Sequence, residues 1–304
     1  MQLVFHQAAL GDFVLAVSTL RRLPAAEGPV VLVVPWSHGR VAARLMPDAK
    51  VLDAELFEFT RLWSEDGPST VSPAVAEVFH AARRVVNFVA EPDSAWTKNV
   101  GRVCGDAPIV TVRPRPDTDS HRPIRVWHGH QLEAQGVRLD NESEATLFGT
   151  PLLADNKPNP GRRWAIHPGS GGVAKCWPVA HFAALAERLI ERGDACDFLV
   201  GPAEIERGVA DALRDRLDDA VRIQELREID ALCFALADAT HYLGNDAGPT
   251  HLAAQLGLPT TALFGPSDPR VWAPVGPQTA LVAPKTPQPM AWLSVETASV
   301  ALLS

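Results

Sequence analysis

Short apolar runs alternate along nearly the whole chain with stretches whose apolar residues recur at helical spacing, and no other feature limits the possible folds as much. Runs at 3–6, 30–34, 50–53, 85–89 and 108–112 read as strands with helices between them. The pattern restarts with runs at 163–167, 196–200, 220–223, 240–243 and 260–264. Such alternation is the signature of βα units built around parallel sheets. The break between the two series, residues 150–161, is rich in proline, glycine and polar residues, as an interdomain linker is. At roughly 100–200 residues per domain, a chain of 304 residues with 46% hydrophobic composition is expected to form two α/β domains, 1–150 and 151–304. Joined in this way, two such domains would leave a cleft between the carboxyl ends of their sheets, a favoured place for a ligand. The tail at 294–303 reads as a short apolar helix that packs back onto a domain.

Charge and cysteine usage narrow the classes of partner. The formal net charge is −8, with 15 basic and 18 acidic side chains in 1–150 and 13 and 18 in 151–304. Neither half is a polybasic surface, which argues against nucleic acid as the main partner. Cys104, Cys176, Cys196 and Cys233 form no C-x-x-C pair and read as reduced thiols. The first residues lack a basic n-region and an apolar h-region, and no run approaches the ~20 apolar residues of a membrane span. A cytoplasmic protein is expected, at most peripheral to the inner face of the membrane.

Three polar stretches fall where strands meet helices. The most distinctive is Gly244-Asn245-Asp246-Ala247-Gly248-Pro249-Thr250-His251-Leu252-Ala253-Ala254, at the carboxyl end of a predicted strand, where open α/β sheets bind ligands. Pro249 suits a first helical turn and Asp246 the capping position before it. Free N–H groups and the helix dipole at such an end favour phosphate, although a capped core helix without a ligand fits the same residues.

The second stretch, His167-Pro168-Gly169-Ser170-Gly171-Gly172-Val173-Ala174-Lys175-Cys176-Trp177-Pro178, follows a strand and precedes an amphipathic helix expected over 179–192. It matches neither the P-loop nor the G-x-G-x-x-G pattern, so a structural turn is as good a reading as a ligand loop. Ser170 and Lys175 would nonetheless supply a hydroxyl and a mobile cation to a diphosphate. The third stretch, Ala9-Leu10-Gly11-Asp12, places Asp12 as the cap of a helix expected over 13–23.

In order and spacing, these stretches, together with Ala262-Leu263-Phe264-Gly265-Pro266-Ser267, resemble the ADP-heptose:lipopolysaccharide heptosyltransferases, glycosyltransferase family nine. The resemblance implies a GT-B fold, two Rossmann-like domains with parallel sheets facing a central cleft. It also implies an inverting transfer without metal or cofactor, from a nucleoside diphosphate sugar, ADP-linked in this family, to a glycan or glycolipid acceptor of the bacterial envelope. By the same resemblance Asp12 is the general base facing the acceptor hydroxyl. Ser170, Gly171 and Lys175 contact the diphosphate, and Asp246, Ala247, Gly248 and His251 line the donor site. Glu204 stands where the family tends to place a carboxylate near the ribose, and it also reads as an ordinary first-turn helix carboxylate.

Acceptor recognition is less legible. The proline-rich run 113–125 reads as an extended loop whose Arg113, Arg115 and Arg122 would meet an anionic acceptor. His128-x-His130 reads as a surface pair without a metal role. Trp177 is expected to anchor its loop on the following helix, and Trp127, Trp272 and Trp292 read as core or cleft residues, with the core favoured for each. Two rivals use the same fold: a nucleotide-sugar epimerase, which leaves Asp12 no acceptor to activate, and a sugar-nucleotide or glycan binding protein without turnover.

Overall fold

Runs such as Val30-Val31-Leu32-Val33-Val34 are apolar at nearly every position because a parallel sheet is covered on both faces, and almost every side chain of this run is buried. The computed structural model describes residues 1–304 apart from 66–70, 118–120, 150–151, 154–160, 219–220 and 304. Most of the linker expected at 150–161 therefore lies outside the described residues. The chain divides into two units, Met1–Ser120 with Ile124–Leu147, and His121–Pro123 with Phe148–Ser304.

The first unit holds a five-stranded sheet of β1 (Gln2–Phe5), β2 (Val30–Val34), β3 (Lys50–Asp53), β4 (Arg84–Asn87) and β5 (Ile109–Thr111), in the order β3-β2-β1-β4-β5. Every pairing is parallel. Chain order reverses direction at β1, so the turn after β1 lies at a topological switch point, where doubly wound sheets take ligands. Phe5 fills the core below this turn, with its ring centroid 5.0 Å from that of Trp96 in an edge-to-face contact and Phe59 and Phe79 beside it.

The second unit holds β6 (Arg163–His167), β7 (Ala195–Val200), β8 (Arg222–Glu225), β9 (His241–Asn245), β10 (Thr260–Leu263) and β11 (Thr279–Val282). Their order is β11-β10-β9-β6-β7-β8, again parallel throughout. The switch point falls between β6 and β9. Helix Val179–Glu191 buries Phe182, Ala183, Leu185, Ala186 and Leu189, one stripe at helical spacing. It ends in a Schellman motif, with Gly193 at φ +91° donating to the Ile190 carbonyl and Asp194 to that of Leu189.

The expected α/β class with two parallel sheets is thus what the chain forms, and the differences are local. β8 begins later than the run at 220–223, because Arg222 to Glu225 pair with Asp197 to Val200. β9 extends through Asn245, a longer strand than its apolar residues suggested. β11 is an edge strand with two exposed central residues, and no expected strand covers it. The tail forms helix Val295–Leu303, with Ala298 buried and Glu296 paired to Arg188 at 2.8 Å. No helix among the described residues is long and apolar enough to cross a membrane.

Candidate donor and acceptor sites

In the second unit the strand order joins two loops that lie more than seventy residues apart in sequence. β6 and β9 are neighbours, with His167 opposite Gly244, so the glycine-rich loop after β6 and the Asp246-Ala247 turn after β9 emerge side by side. Asn245, fully buried, ties them together. Its amide nitrogen donates to the Pro168 and Gly169 carbonyls at 2.8 and 3.2 Å, and its oxygen accepts from the Trp177 N–H at 3.0 Å. Ser170 adds a further tie, its hydroxyl donating to the Asp246 carbonyl at 2.9 Å. That hydroxyl, expected to face a diphosphate, is buried and engaged between the loops, while Gly171 lies open to solvent.

Asp246 departs from the expected capping role. The N-cap of helix Gly248–Gln255 is Ala247, with no side-chain cap, and Pro249 sits in the first turn. As at any helix start, the N–H of Gly248 has no partner within the helix. The Asp246 carboxylate, 5% exposed, instead holds Lys175 Nζ at 2.6 Å and His251 Nε2 at 3.2 Å, because a buried carboxylate needs charged or donating partners. Burial alone would raise its pKa, but the hydrogen bonds and charges of His251 and Lys175 outweigh that and hold it well below the ordinary carboxylate range. A depressed carboxyl stabilises the fold above its unfolded value of 3.8, and the contribution is lost as pH falls through the lower folded value. The stability gap between the unaltered protein and Asp246→Asn, measured by urea denaturation, is therefore expected to keep its full size down to about pH 5 and to shrink only below it. A gap that closed between pH 7 and 5 would count against the pairing.

Glu204, in helix Pro202–Glu206 after β7, is likewise buried. Its carboxylate accepts from the Gly201 N–H at 3.1 Å and lies 3.6 Å from His167 Nε2. Burial raises its pKa, and the His167 and Gly201 contacts more than reverse the shift. A Cβ at Gly169 would overlap this carboxylate, so glycine is required there by close approach. Of the two sequence readings of Glu204, its hydrogen bonds match the first-turn carboxylate.

The loops are further supported from below. Thr250 donates to the Asn245 carbonyl at 2.5 Å and meets the Tyr242 hydroxyl at 3.1 Å. Trp177, fully buried, packs edge-on against Phe182 at 5.0 Å and donates to the Leu293 carbonyl, the anchoring role expected of it. Trp127 and Trp272 are half-buried rather than core residues, while half-buried Trp292 packs against the core. All four cysteines are free thiols. Among the described residues no group of three or more His, Cys, Asp or Glu side chains is arranged to hold a metal.

In the first unit Asp12 is not the helix cap. Helix Leu10–Leu20 begins after Ala9, and Asp12 lies in its first turn, where the dipole favours a carboxylate. It is 12% exposed and pairs at 3.2 Å with Arg115, itself 70% exposed. An ion pair with so solvated a partner contributes little stability and is easily exchanged. Under this turn lie His6, His38 and His128, packed around Phe13 and Phe88. His38 Nε2 holds the Ala8 carbonyl at 3.0 Å. His128, expected on the surface, is buried, and its Nε2 donates to the Pro114 carbonyl at 3.1 Å, fixing the backbone that presents Arg115. Burial pushes its pKa down to about 4 despite that bond and the nearby Asp12 charge. His6 is pushed down to about 3, first by burial and then by the other two histidines.

The remaining arginines separate. Arg113 pairs with Asp117 and stacks on Trp127 at 5.3 Å, while Arg122 is exposed in the 121–123 stretch that groups with the second unit. Sequence reasoning missed the part played by Asn245, although it lies inside a quoted motif. It also missed Arg207, whose Nη1 donates to the Ser170 carbonyl at 3.1 Å from outside every motif.

The family model described as Glycosyltransferase family 9 (heptosyltransferase) matches residues 123–295, more than half of the chain. The chain belongs to glycosyltransferase family 9. Among relatives of this family 9 chain, lipopolysaccharide heptosyltransferase 1 of Pseudomonas aeruginosa is 38% identical over 196 residues, 58% of this chain and 52% of that protein. Lipopolysaccharide heptosyltransferase 2 of Escherichia coli K12 is 32% identical over 107 residues, 34% of this chain and 31% of that protein. These matches span about half or less of the relatives' length. In fold, the chain is similar to the E. coli heptosyltransferase WaaC with ADP, with a TM-score of 0.70 at 16% identity covering 100% of this chain and 99% of that one. It is also similar to a family 9 glycosyl transferase from Veillonella parvula, with a TM-score of 0.72 at 16% identity covering 99% and 96%.

Proposed function

We propose that this family 9 chain is an inverting, metal-independent glycosyltransferase. It would move a heptose or related sugar from a nucleoside diphosphate, with ADP-heptose the leading candidate, to a lipopolysaccharide-core or other envelope glycan at the inner face of the cytoplasmic membrane. The observation that carries the reading is the joining of the 168–178 loop and the 246–251 turn around the pair of half-exposed Lys175 with buried Asp246. That arrangement sets a cation and open backbone beside a helix start, a combination suited to a diphosphate. The names of the structural relatives agree with it, since WaaC is described with ADP and with ADP-2-deoxy-2-fluoro heptose.

In this reading the second unit binds the donor and the first unit the acceptor. Gly171, Lys175, Ala247 and Gly248 meet the diphosphate. Ser170, Asp246 and His251 hold those groups in place, and Glu204 supports the loop from beneath, beside the nucleoside. The acceptor hydroxyl attacks the anomeric carbon as the bond to the diphosphate oxygen breaks. Asp12 takes the hydroxyl proton, and the departing diphosphate carries away the bonding electron pair. Arg115, with Arg113 and Arg122, meets anionic groups of the acceptor, and an arriving anion competes with Asp12 for the Arg115 guanidinium.

The test is product analysis with ADP-heptose as donor. Release of ADP only when a lipopolysaccharide-core acceptor is present supports transfer. Acceptor-independent conversion of the donor would indicate an epimerase, and ADP binding without turnover would indicate a binding protein. Lys175→Ala is expected to weaken ADP binding about tenfold by calorimetry, as loss of one charge-assisted hydrogen bond at a partly exposed site does. An unchanged affinity would remove Lys175 from the diphosphate.

A further inference from the structure

The charges tied to the two donor loops leave one cation unaccounted for. Lys175 is matched by Asp246 at 2.6 Å, and Glu204 contributes a second buried carboxylate beside His167. Lys175 is thus the single lysine or arginine charge set against these two carboxylates. A diphosphate carries more than one negative charge and gains another as its bond to the sugar breaks, whereas Lys175 already shares its charge with Asp246.

We propose that Arg207 is the second cation of the donor diphosphate site, an inference that rests on the donor-binding reading above. Arg207 directly follows helix Pro202–Glu206, and one guanidinium nitrogen donates to the Ser170 carbonyl at 3.1 Å. The residue is otherwise exposed, and among the described residues no carboxylate pairs with it. Its charge also reaches the far end of the same loop, where it lowers the pKa of the Cys176 thiol against the larger effect of burial. A guanidinium carries five N–H donors in a planar fork. With one edge on Ser170, the rest are available to phosphate oxygens next to open Gly171, the bidentate geometry for which arginine surpasses lysine. Arg207 thus supplies, among the described residues, a cation without a carboxylate partner where the leaving group gathers charge.

The experiment must separate charge from loop support. Arg207→Gln retains a shorter N–H donor but removes the charge, and Arg207→Lys retains the charge without the fork. Calorimetry with ADP, adenosine and inorganic pyrophosphate reads both effects. Arg207→Gln is expected to weaken ADP and pyrophosphate binding about tenfold or more, flatten their salt dependence and leave adenosine binding unchanged, with Arg207→Lys in between. Unchanged ADP affinity in Arg207→Gln would overturn the proposal, as would an equal loss for ADP and adenosine, which is the mark of a loop support alone. If the unaltered protein bound none of ADP, UDP, GDP or pyrophosphate, the donor reading itself would fall, and this inference with it.

Discussion

An Asp12→Asn variant is expected to lose glycosyl transfer by about 10²–10⁴-fold, the range a positioned general base contributes, while binding ADP like the unaltered protein. The substitution keeps size and shape, so the helix start at Leu10 and the packing of Phe13 beneath it remain. Its direct cost is the ion pair with Arg115, which is worth little because Arg115 is 70% exposed. Folding and donor binding are therefore insulated from the change, whereas proton removal from an acceptor is not. Transfer and ADP affinity measured on the same preparation check the prediction, and near-normal turnover would take Asp12 out of the base role. Arg115→Ala is the useful companion, because it breaks the same pair yet leaves the carboxylate. It should raise the acceptor KM and leave the donor KM alone.

Asn245→Ala should have the largest effect on stability. The side chain is fully buried and makes three hydrogen bonds to backbone groups of the glycine-rich loop. Removing it strands those groups, at 1–3 kcal/mol for a buried unsatisfied polar atom, for a total of about 3 kcal/mol after partial relaxation. Urea denaturation measures that loss, and calorimetry should show ADP affinity falling with it, since the loop loses its tie to β9. Asn245→Asp sharpens the test. It keeps the acceptor for the Trp177 N–H but turns a carboxylate oxygen toward the Pro168 and Gly169 carbonyls, so it should be no more stable than the alanine variant. A well-folded Asn245→Asp protein with normal ADP binding would show that the loop does not depend on this residue.

The parts of the site that could be read in advance were those with a local cause. Pro249 sits in a first turn because its missing N–H would be unpaired there anyway. Asp12, Lys175, Asp246 and His251 were singled out by the family resemblance of the stretches that hold them, since their neighbours in sequence fit a cap or a turn equally well. Their partners were not. Asp246 read as a cap when only neighbours in sequence were considered, yet its actual partners are Lys175 and His251. His128 looked like a surface histidine because nothing near it in sequence reveals the bond to the Pro114 carbonyl.

Periodicity, turn residues and strand-end chemistry were enough to establish two α/β units with parallel sheets and the segments that carry their polar loops. These follow from sterics and burial acting within a few residues, so they are written in the order of the amino acids. Which loops meet was settled only when β9 paired with β6 rather than with β8, setting the 246–251 turn against the 168–178 loop and bringing Arg207 to Ser170. Pairing of that kind depends on which faces bury the most apolar surface across long stretches of chain, a comparison that no local stretch of residues contains.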